Sequence, residues 1–525
     1  MKRRIQVVIC RVCSGAANVL DVEKLLRVAN EAPYVGSAIA VNYACNAKTI
    51  AQIVEEAKSR EVDRMLIIPC SKSDVSPALF QAYKKKAKIN EFLMETVDLV
   101  GEIVLPHRDN PARAQAKAES KLLAAITRMA MLEPLQKSSE KMRTKNVVII
   151  GAGVAGVEAA RQATQAGMHT ILIEKSDKEV KAPGVVMPKT RLVSAKGHAG
   201  NFILTIEAGE KRETLECAAV VIASGGDWSD AKGPLVQACG AKPLYRLVQE
   251  IGEGIISREG VVIVDTPDPK ADITSAQDFA WEDAIQSAIE IRKKSPETEV
   301  YLLFQEMRAL GLDELSYRDA ADLGVRFVRY DKKRPPHADP KDKSKIVVID
   351  SVQGQTLSIP YGGVYYASIA PNPDNVSISE ALRIPMTESG GLRRGSMQKG
   401  PIATPRPGVL VCGSAQFPRS ENISRLEGRA AGALAAQLVS TGIVEFGGSV
   451  AEVTPDKCSA CLTCVRTCPF EAPFIGNAGK AEIQLQLCQG CGMCVGICPS
   501  KAIELHNYTD DQLSTETASY IGGDF

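Results

Sequence analysis

Eight cysteines near the C-terminus constrain this 525-residue chain more than any other feature. They form two copies of the pattern C-x₂-C-x₂-C-x₃-C-P, the first ending at Pro469 and the second at Pro499. Three thiolates spaced in this way on a tight loop can converge on three corners of an iron–sulfur cubane, while the fourth cysteine reaches a second cubane. Each proline fits the first turn of a short helix, where no backbone N–H is needed. The pattern therefore predicts two [4Fe–4S] clusters with exchanged fourth ligands.

The exchange fixes the ligand set of each predicted cluster. Zinc is a weaker interpretation, because a zinc knuckle uses paired cysteines and has no role for the third cysteine or the repeated C-P. Disulfides would require a secreted protein, and no secretion signal is visible. We expect residues 448–507 to form a two-cluster ferredoxin-like α+β domain. The predicted ligands are Cys458, Cys461, Cys464 and Cys498 for one cluster, and Cys488, Cys491, Cys494 and Cys468 for the other.

The composition argues against a nucleic-acid-binding or membrane-spanning protein. Lys and Arg total 63 while Asp and Glu total 62, so no global field attracts a polyanion. No segment approaches the roughly 18 apolar residues that indicate a transmembrane helix, and the apolar run after Arg4 is too short for a signal peptide. Fifteen cysteines in this context favour thiolate ligands in a reducing compartment. We therefore expect a cytoplasmic protein.

Residues 1–140 alternate between strand-like and helix-like segments, which predicts an open α/β domain. Strand-like runs lead into Cys10, Cys13 and Cys70, and Cys45 follows a third run. Ligands gather outside the carboxyl ends of such strands. These four cysteines could therefore hold a third iron–sulfur cluster or a zinc ion. The alternative, in which Cys45 and Cys70 are merely small buried apolar residues, stays open.

A dinucleotide-binding pattern begins at residue 146. An apolar strand runs into the sequence G-x-G-x-x-G and then a helix, and a second strand ends in an acidic residue some twenty positions later. The first glycine permits the tight turn, the second lets the backbone approach a pyrophosphate, and the third allows close packing of helix and strand. The acidic residue is expected to bind an adenosine ribose. The predicted binding residues are Gly151, Gly153, Val154, Ala155, Gly156, Glu174 and Lys175.

The loop alone does not distinguish FAD from NAD, but two later segments favour FAD. Residues 193–224 read as a β-meander that returns to a strand, the order found in flavoproteins with two dinucleotide lobes. A strand over 408–411 leads into a loop, and a helix rich in small residues is expected over 427–439 with its N-terminus towards a flavin ring. The predicted flavin-side residues are Gly413, Ser414, Ala415 and Gln416.

The region between these segments lacks a second glycine loop. A strand over 260–265 is followed by Thr266-Pro267-Asp268-Pro269, so the turn that would hold the phosphates of NAD(P)H is missing. We expect electrons to enter and leave through clusters rather than through a nicotinamide. The charged segment 331–345 is expected to be a solvated loop.

The order of these parts resembles the heterodisulfide reductase A subunit-like family, which includes B subunit-like flavoproteins of the quinone-interacting membrane-bound oxidoreductase. Besides the C-terminal cysteines, the resemblance rests on Cys10, Cys13, Cys45 and Cys70 with residues 77–80, and on residues 151–175, 197–202 and 413–416. It implies an N-terminal α/β domain over 1–140, a thioredoxin-reductase-like FAD domain of Rossmann type over 145–447, the ferredoxin-like domain over 448–507 and a polar tail over 508–525, disordered or lying on a partner.

The resemblance implies an electron-transfer subunit of a heterodisulfide reductase-like complex. FAD would convert between two-electron and one-electron transfer, and the clusters would pass electrons to partner redox subunits. Any membrane association would come through a partner, and no nucleic acid is expected. The alternative is a self-sufficient NAD(P)H-dependent flavin and iron–sulfur reductase, against which the missing glycine turn argues. We assign no catalytic side chain, because the flavin would be the reactive centre.

Overall fold

The computed structural model describes residues 4–11, 19–69, 83, 86, 88–227, 233–266, 268, 280–309, 311–395 and 400–522. The chain divides into two units, one formed by residues 1–139 together with 445–525 and the other by residues 140–444. Among the described helices, none combines the length and apolar character needed to cross a bilayer.

A parallel sheet with helices packed on it forms the described N-terminal part of the first unit. Its elements are β1 (Ile5–Cys10), α1 (Val22–Glu31), β2 (Val35–Val41), α2 (Ala47–Ser59), β3 (Arg64–Ile68), β4 (Met94–Thr96) and α3 (Pro111–Met131). The strand order is β2-β1-β3-β4, and all six residues of β1 are buried, as in a strand covered on both faces. Asp21, Asn46 and Asn110 cap the three helices by accepting hydrogen bonds from backbone N–H groups. The open α/β prediction is confirmed for this part.

The next helices and strands lie in residues 137–447, which include the second unit (residues 140–444) and a few residues on either side of it. The first are β5 (Lys137–Lys141), β6 (Asn146–Ile150), α4 (Val154–Gln165), β7 (His169–Ile173), β8 (Val185–Met187), β9 (Thr190–His198), β10 (Asn201–Ala208), β11 (Lys211–Cys217), β12 (Ala219–Ile222) and β13 (Gly226–Asp227). Next come α5 (Pro234–Cys239), β14 (Lys242–Pro243), α6 (Leu244–Gly252), β15 (Val261–Val264), α7 (Ala280–Lys294), β16 (Val300–Phe304), α8 (Asp313–Asp322), β17 (Arg326–Arg329), β18 (His337–Ala338), β19 (Lys345–Ile349) and β20 (Thr356–Pro360). The last are β21 (Gly363–Tyr366), β22 (Ala370–Pro371), α9 (Asn375–Leu382), β23 (Val409–Val411), α10 (Glu421–Ser440) and β24 (Ile443–Gly447).

Two five-stranded parallel sheets organise this unit. The first lobe has the order β23-β12-β6-β7-β8, and the antiparallel meander β9-β10-β11 is inserted before β12, as the sequence predicts. The second lobe has the order β14-β21-β15-β16-β17. Most of the charged segment 331–345 is exposed, as expected of a solvated loop, but it also contains the two-residue strand β18, which pairs antiparallel with β19. The first lobe therefore carries the predicted dinucleotide loop at the carboxyl end of β6.

Two helices of the first lobe pack through backbone contact. A Cβ at Gly428 of α10 would lie 2.2 Å from the carbonyl oxygen of Ala155, and one at Gly432 would lie 2.3 Å from that of Ala159 on α4. Only glycine allows this approach, because a side chain would overlap the backbone. The expected start of this helix at residue 427 is wrong: it begins at Glu421, where the Ser420 hydroxyl accepts a hydrogen bond from the N–H of Ile423.

The C-terminal part of the first unit contains two antiparallel strand pairs and three helices. They are β25 (Ala451–Val453), α11 (Thr463–Thr467), β26 (Pro473–Ile475), β27 (Ala481–Ile483), α12 (Met493–Ile497), β28 (Ile503–Leu505) and α13 (Asp510–Ile521). β25 pairs with β28, and β26 pairs with β27. The polar tail over 508–525 was expected to be disordered or to lie on a partner, but residues 510–521 form α13. A capping box between Thr509 and Gln512 begins this helix, and the Gln512 side chain donates to the carbonyl of Met131 on α3.

The close packing of α4 and α10 predicts the effect of one added methyl group. Gly432→Ala should lower the free energy of unfolding by about 1–3 kcal/mol, because the methyl group must displace backbone. Gly252→Ala is the matched control, since a Cβ there meets nothing within 4 Å in α6. The control should change stability by less than about 1 kcal/mol, in the stabilising direction. Urea unfolding of both variants measures this, and equal effects would contradict the packing.

Candidate functional site

Two cavities in residues 445–525 are each lined by four cysteines, three from one copy of the repeat and one from the other. We call the first cavity centre A and the second centre B. Centre A is lined by Cys458, Cys461, Cys464 and Cys498, and centre B by Cys468, Cys488, Cys491 and Cys494. The structure thus groups the thiols as the spacing predicts.

Two helices of five residues produce this grouping. Cys464 lies in the first turn of α11 and lines centre A, whereas Cys468 ends the same helix and lines centre B. In α12, Cys494 lines centre B and Cys498 lines centre A. The two cysteines of each helix are four positions apart, and each lines a different cavity.

The thiols surround a space rather than a point. Within the described residues, no three His, Cys, Asp or Glu side chains are grouped to hold a single metal ion. One zinc ion would need all four sulfurs at about 2.3 Å. Four thiols around a cavity of this kind instead fit a cubane, whose iron atoms lie between the sulfurs.

Hydrogen bonds reach several sulfurs of centre A. The Sγ of Cys461 lies 3.3 Å from the Thr463 hydroxyl, and this contact lowers the pKa of the Cys461 thiol. The N–H of Ala502 donates to the Sγ of Cys498 at 3.3 Å. Burial raises the pKa of Cys494 in centre B to about 11. Cysteines bind iron as thiolates, so bound iron must offset that cost.

The three glycines of the loop after β6 have different surroundings. Gly151 has φ +101°, and a Cβ there would lie 2.3 Å from the carbonyl oxygen of Ala223. A Cβ at Gly156 would lie 2.0 Å from the Gly151 carbonyl oxygen, so the loop and α4 touch through backbone. A Cβ at Gly153 would meet nothing within 4 Å. This open space, at the N-cap of α4, fits a pyrophosphate.

Glu174 lies beside this loop as a hydrogen-bonded carboxylate. One of its oxygens accepts from the N–H of Ala152 at 2.9 Å and the other from the N–H of Ser176 at 2.9 Å. Burial disfavours the charge, but these hydrogen bonds and the charge of Lys175 outweigh it, so the pKa of Glu174 is lowered. Each oxygen keeps a second lone pair that can accept from a ribose hydroxyl. Lys175 itself is paired with Asp374, its Nζ 2.5 Å from the carboxylate.

The loop after β23 lies against the start of α4. A Cβ at Gly413 would lie 2.9 Å from the Cβ of Ala155, so the two predicted segments meet. The N–H of Gly413 donates to the Glu427 carboxylate at 2.8 Å, and the Arg419 guanidinium lies 2.9 Å from the same carboxylate. This ion pair is nearly buried, with 9% and 12% of the side chains exposed. The hydroxyl of Ser414 accepts from the N–H of Arg419.

Sequence reasoning missed Arg419 and Glu427. Both lie near the predicted residues 413–416, but a charged pair eight positions apart carries no spacing signal of its own. The other predicted residues divide by exposure: Ala155, Ala415 and Gln416 are buried, whereas 36% of Val154 is exposed.

The N-terminal cysteines are described only in part. Cys10 is buried at the end of β1, and Cys45 is exposed after β2. Burial and the nearby thiols of Cys10 and Cys45 raise the pKa of Tyr83, whose hydroxyl donates to the carbonyl of Ala44 at 2.7 Å. These two cysteines therefore lie near one tyrosine. Cys13 and Cys70, and residues 77–80, lie outside the described residues.

A buried carboxylate ends the strand where a second dinucleotide loop would begin. Asp265, directly after β15, accepts from the Tyr330 hydroxyl at 2.5 Å and from the N–H of Gln305 at 2.9 Å. Burial raises the pKa of Asp265 to about 6 despite these hydrogen bonds. The first described turn of α7 also carries Glu282 and Asp283. The Asp265 carboxylate stands where a glycine turn would offer backbone N–H groups, which opposes the binding of a pyrophosphate at this strand end.

Two family descriptions match parts of the chain. Residues 145–203 match the pyridine nucleotide-disulphide oxidoreductases, and residues 451–499 match the 4Fe-4S dicluster domain. These matches agree with an oxidoreductase domain of the FAD type and with an iron–sulfur domain.

Related proteins match nearly the whole chain at low identity. The CoB–CoM heterodisulfide reductase iron–sulfur A subunit 1 of Methanopyrus kandleri is 24% identical over 658 residues, covering 99% of this chain and 98% of that protein. The iron–sulfur A subunit 2 of the same organism is 24% identical over 599 residues, covering 89% and 90%. The A subunit of the H(2):CoB-CoM heterodisulfide,ferredoxin reductase of Methanothermobacter marburgensis is 22% identical over 598 residues, covering 89% and 90%. Thioredoxin reductase of T. acidophilum matches 57% of this chain and 98% of its own, with TM-score 0.41 and 14% identity.

The buried carboxylate predicts a pH-dependent stability. The folded chain holds a proton on Asp265 up to about pH 6, whereas an unfolded aspartate releases it near pH 4. The contribution of this group to stability therefore declines as the pH rises from about 4 to about 6. Asp265→Asn removes the decline, so its free energy of unfolding, measured with urea, should rise relative to that of the wild type by about 1 kcal/mol or more between pH 5 and pH 8.

Tryptophan fluorescence can follow this unfolding, because Trp281 is buried in the same lobe. Asp319→Asn is the control, since Asp319 is an exposed carboxylate on α8. The same pH-dependent gain in both variants would rule out Asp265 as its source.

Proposed function

We propose that this chain, a flavin- and iron–sulfur-type oxidoreductase of the heterodisulfide reductase A subunit-like family, passes electrons between FAD and two [4Fe–4S] clusters and on to partner subunits. One observation carries the proposal above the others: four cysteines surround each of two cavities, three from one repeat and one from the other. The same chain has a dinucleotide loop whose middle glycine faces open space. When the protein binds both a flavin and iron–sulfur cubanes, it can convert between two-electron and one-electron transfer.

The chain's own residues would bind and orient these groups. The open N-cap of α4 at Gly153 would receive the pyrophosphate of FAD, and Glu174 would accept hydrogen bonds from the adenosine ribose. Residues 413–416, held against α4 by the contact between Gly413 and Ala155, would line the flavin side of the site. The buried pair of Arg419 and Glu427 fixes that loop, because Glu427 accepts from the N–H of Gly413.

A self-sufficient NAD(P)H reductase is not favoured. The second lobe has Asp265 where a glycine turn would approach a pyrophosphate, and its first described turn of α7 is acidic. A bound nicotinamide dinucleotide would therefore meet negative charge in place of backbone N–H groups.

The partners we propose are other redox subunits of a heterodisulfide reductase-like complex. The relatives are named as A subunits of heterodisulfide reductases, which implies further subunits in the same complex. Clusters in this chain could exchange single electrons with cofactors of those subunits. A reducing compartment such as the cytoplasm fits a chain with eight cysteines committed to clusters.

The space at Gly153 gives a direct test of the flavin site. Gly153→Val adds a side chain whose Cβ meets no protein atom within 4 Å and which would occupy the proposed pyrophosphate position. Purified full-length variant should contain several-fold less FAD than the wild type, with unchanged iron content and unfolding midpoint. Gly156→Ala is the contrasting variant, because its methyl group overlaps the Gly151 carbonyl and should lower stability as well. Stoichiometric FAD in Gly153→Val would contradict the assignment.

We further propose a third cluster held by Cys10, Cys13, Cys45 and Cys70, supported by the proximity of Cys10 and Cys45 to Tyr83. Iron analysis of the anaerobically purified chain tests it, since each cubane contributes four atoms. We expect about 12 Fe per chain, falling to about 8 in Cys45→Ser. Cys239→Ser, which alters a cysteine outside all proposed sites, should leave the count unchanged. A wild-type value near 8 excludes this third cluster and keeps the other two.

A further inference from the structure

The two copies of the cysteine repeat fold alike but present different side chains to their cavities. The residue before the third cysteine is Thr463 in the first copy and Met493 in the second. The residue after the C-P pair is Phe470 in the first copy and Ser500 in the second. Because the fourth cysteines are exchanged, Thr463 and Ser500 both line centre A, whereas Met493 and Phe470 both line centre B. The exchange therefore collects both hydroxyl groups at one centre.

These hydroxyls lie beside ligand sulfurs. The Thr463 Oγ1 is 3.3 Å from the Sγ of Cys461, and the Ser500 Oγ is 3.6 Å from the Sγ of Cys498. An iron-bound thiolate has no proton to give, so each hydroxyl would be the donor. Backbone N–H groups add two more donors to centre A, from Ala460 to Cys458 and from Ala502 to Cys498. Methionine and phenylalanine have no hydrogen to donate at the equivalent places in centre B.

Exposure of the sulfurs does not offset this difference. Cys461 and Cys491, the second cysteines of the two copies, are both exposed. The third cysteines, Cys464 and Cys494, are both buried, and the remaining four are intermediate. The cysteines of the two centres therefore have matching exposure, whereas their side-chain hydrogen-bond donors differ.

Charged residues add little to the contrast at the C-P pairs but favour centre A at one ligand. The residue two positions after the C-P pair is Lys501 in the second copy and Glu471 in the first, and the ammonium of Lys501 lies 3.9 Å from the Asp510 carboxylate, which offsets its charge. The ammonium of Lys480 donates to the carbonyl oxygen of Cys458, a ligand of centre A, at 2.6 Å. Solvent screens the exposed charges, so they add to the effect of the hydrogen bonds without dominating it.

We infer that centre A has the higher reduction potential and centre B the lower, so that an electron entering at centre B moves to centre A. Reduction adds one negative charge to a cluster, and hydrogen bonds to its sulfurs and nearby cations stabilise that charge. In the transfer, one electron leaves centre B and one enters centre A, and no bond or proton is exchanged. The inference rests on the proposed function, in that both centres hold [4Fe–4S] clusters.

Redox titration of the full chain carrying Cys45→Ser, which removes the proposed N-terminal cluster and leaves centres A and B, tests this order when the reduced clusters are followed by electron paramagnetic resonance. In the double variant Thr463→Val/Ser500→Ala, the higher of the two midpoint potentials should shift downward and the lower should stay. In Met493→Thr, which adds a hydroxyl at the equivalent place in centre B, the lower midpoint should shift upward. Thr467→Val is the matched control, a threonine of the same helix that makes no hydrogen bond to a sulfur among the described residues, and it should move neither midpoint.

Iron content separates the two levels of the proposal. Two results would overturn the order of the centres in a chain that contains about 8 Fe or more. In the first, neither midpoint moves in either variant; in the second, the lower midpoint moves in the double variant. Both results leave the proposed function intact. A wild-type chain that binds no iron contradicts the proposed function and the order together. A downward shift of the higher midpoint with unchanged iron content supports the order.

Discussion

The exchange of one cysteine between two short repeats is the constraint on which the C-terminal part depends. Each of the helices α11 and α12 carries one cysteine for each centre, so neither cavity is complete until both copies are folded against each other. Binding of iron and folding of this part are therefore one event, since the unfolded chain offers no preformed site. The same exchange decides which side chains each centre receives. It brings the hydroxyls of both copies to centre A.

In residues 140–444 the corresponding constraint is contact between backbones. Gly156 approaches Gly151, and Gly428 and Gly432 approach the carbonyl groups of α4 at distances that exclude a Cβ. These contacts hold the loop after β6 and the loop after β23 beside each other. The space at Gly153 stays open beside these close backbone contacts, since a Cβ there would meet nothing within 4 Å.

The two lobes share a sheet architecture but differ in chemistry. Both have five-stranded parallel sheets, and only the first ends its central strand in a glycine loop. In the second lobe, Asp265 occupies that end, and its hydrogen bonds to Tyr330 and Gln305 tie three neighbouring strands together. The fold of a nucleotide-binding lobe is thus kept while its binding edge is acidic. Fold alone would have indicated a second cofactor, and the residues at the strand end argue against it.

The local spacing of residues along the chain was enough to predict many structural features of this protein. The cysteine repeats, the G-x-G-x-x-G loop, the meander before β12 and the alternating strands of the N-terminal part are patterns within a few turns or one hairpin, so they are legible along the chain. The tertiary structure decided what depends on distant residues. Asp265 meets Tyr330, Glu427 holds Gly413, and α13 forms because its side chains pack on α3. Which hydroxyls reach which sulfurs followed from the exchanged ligands, because hydrogen bonds form across space and the sequence records only order along the chain.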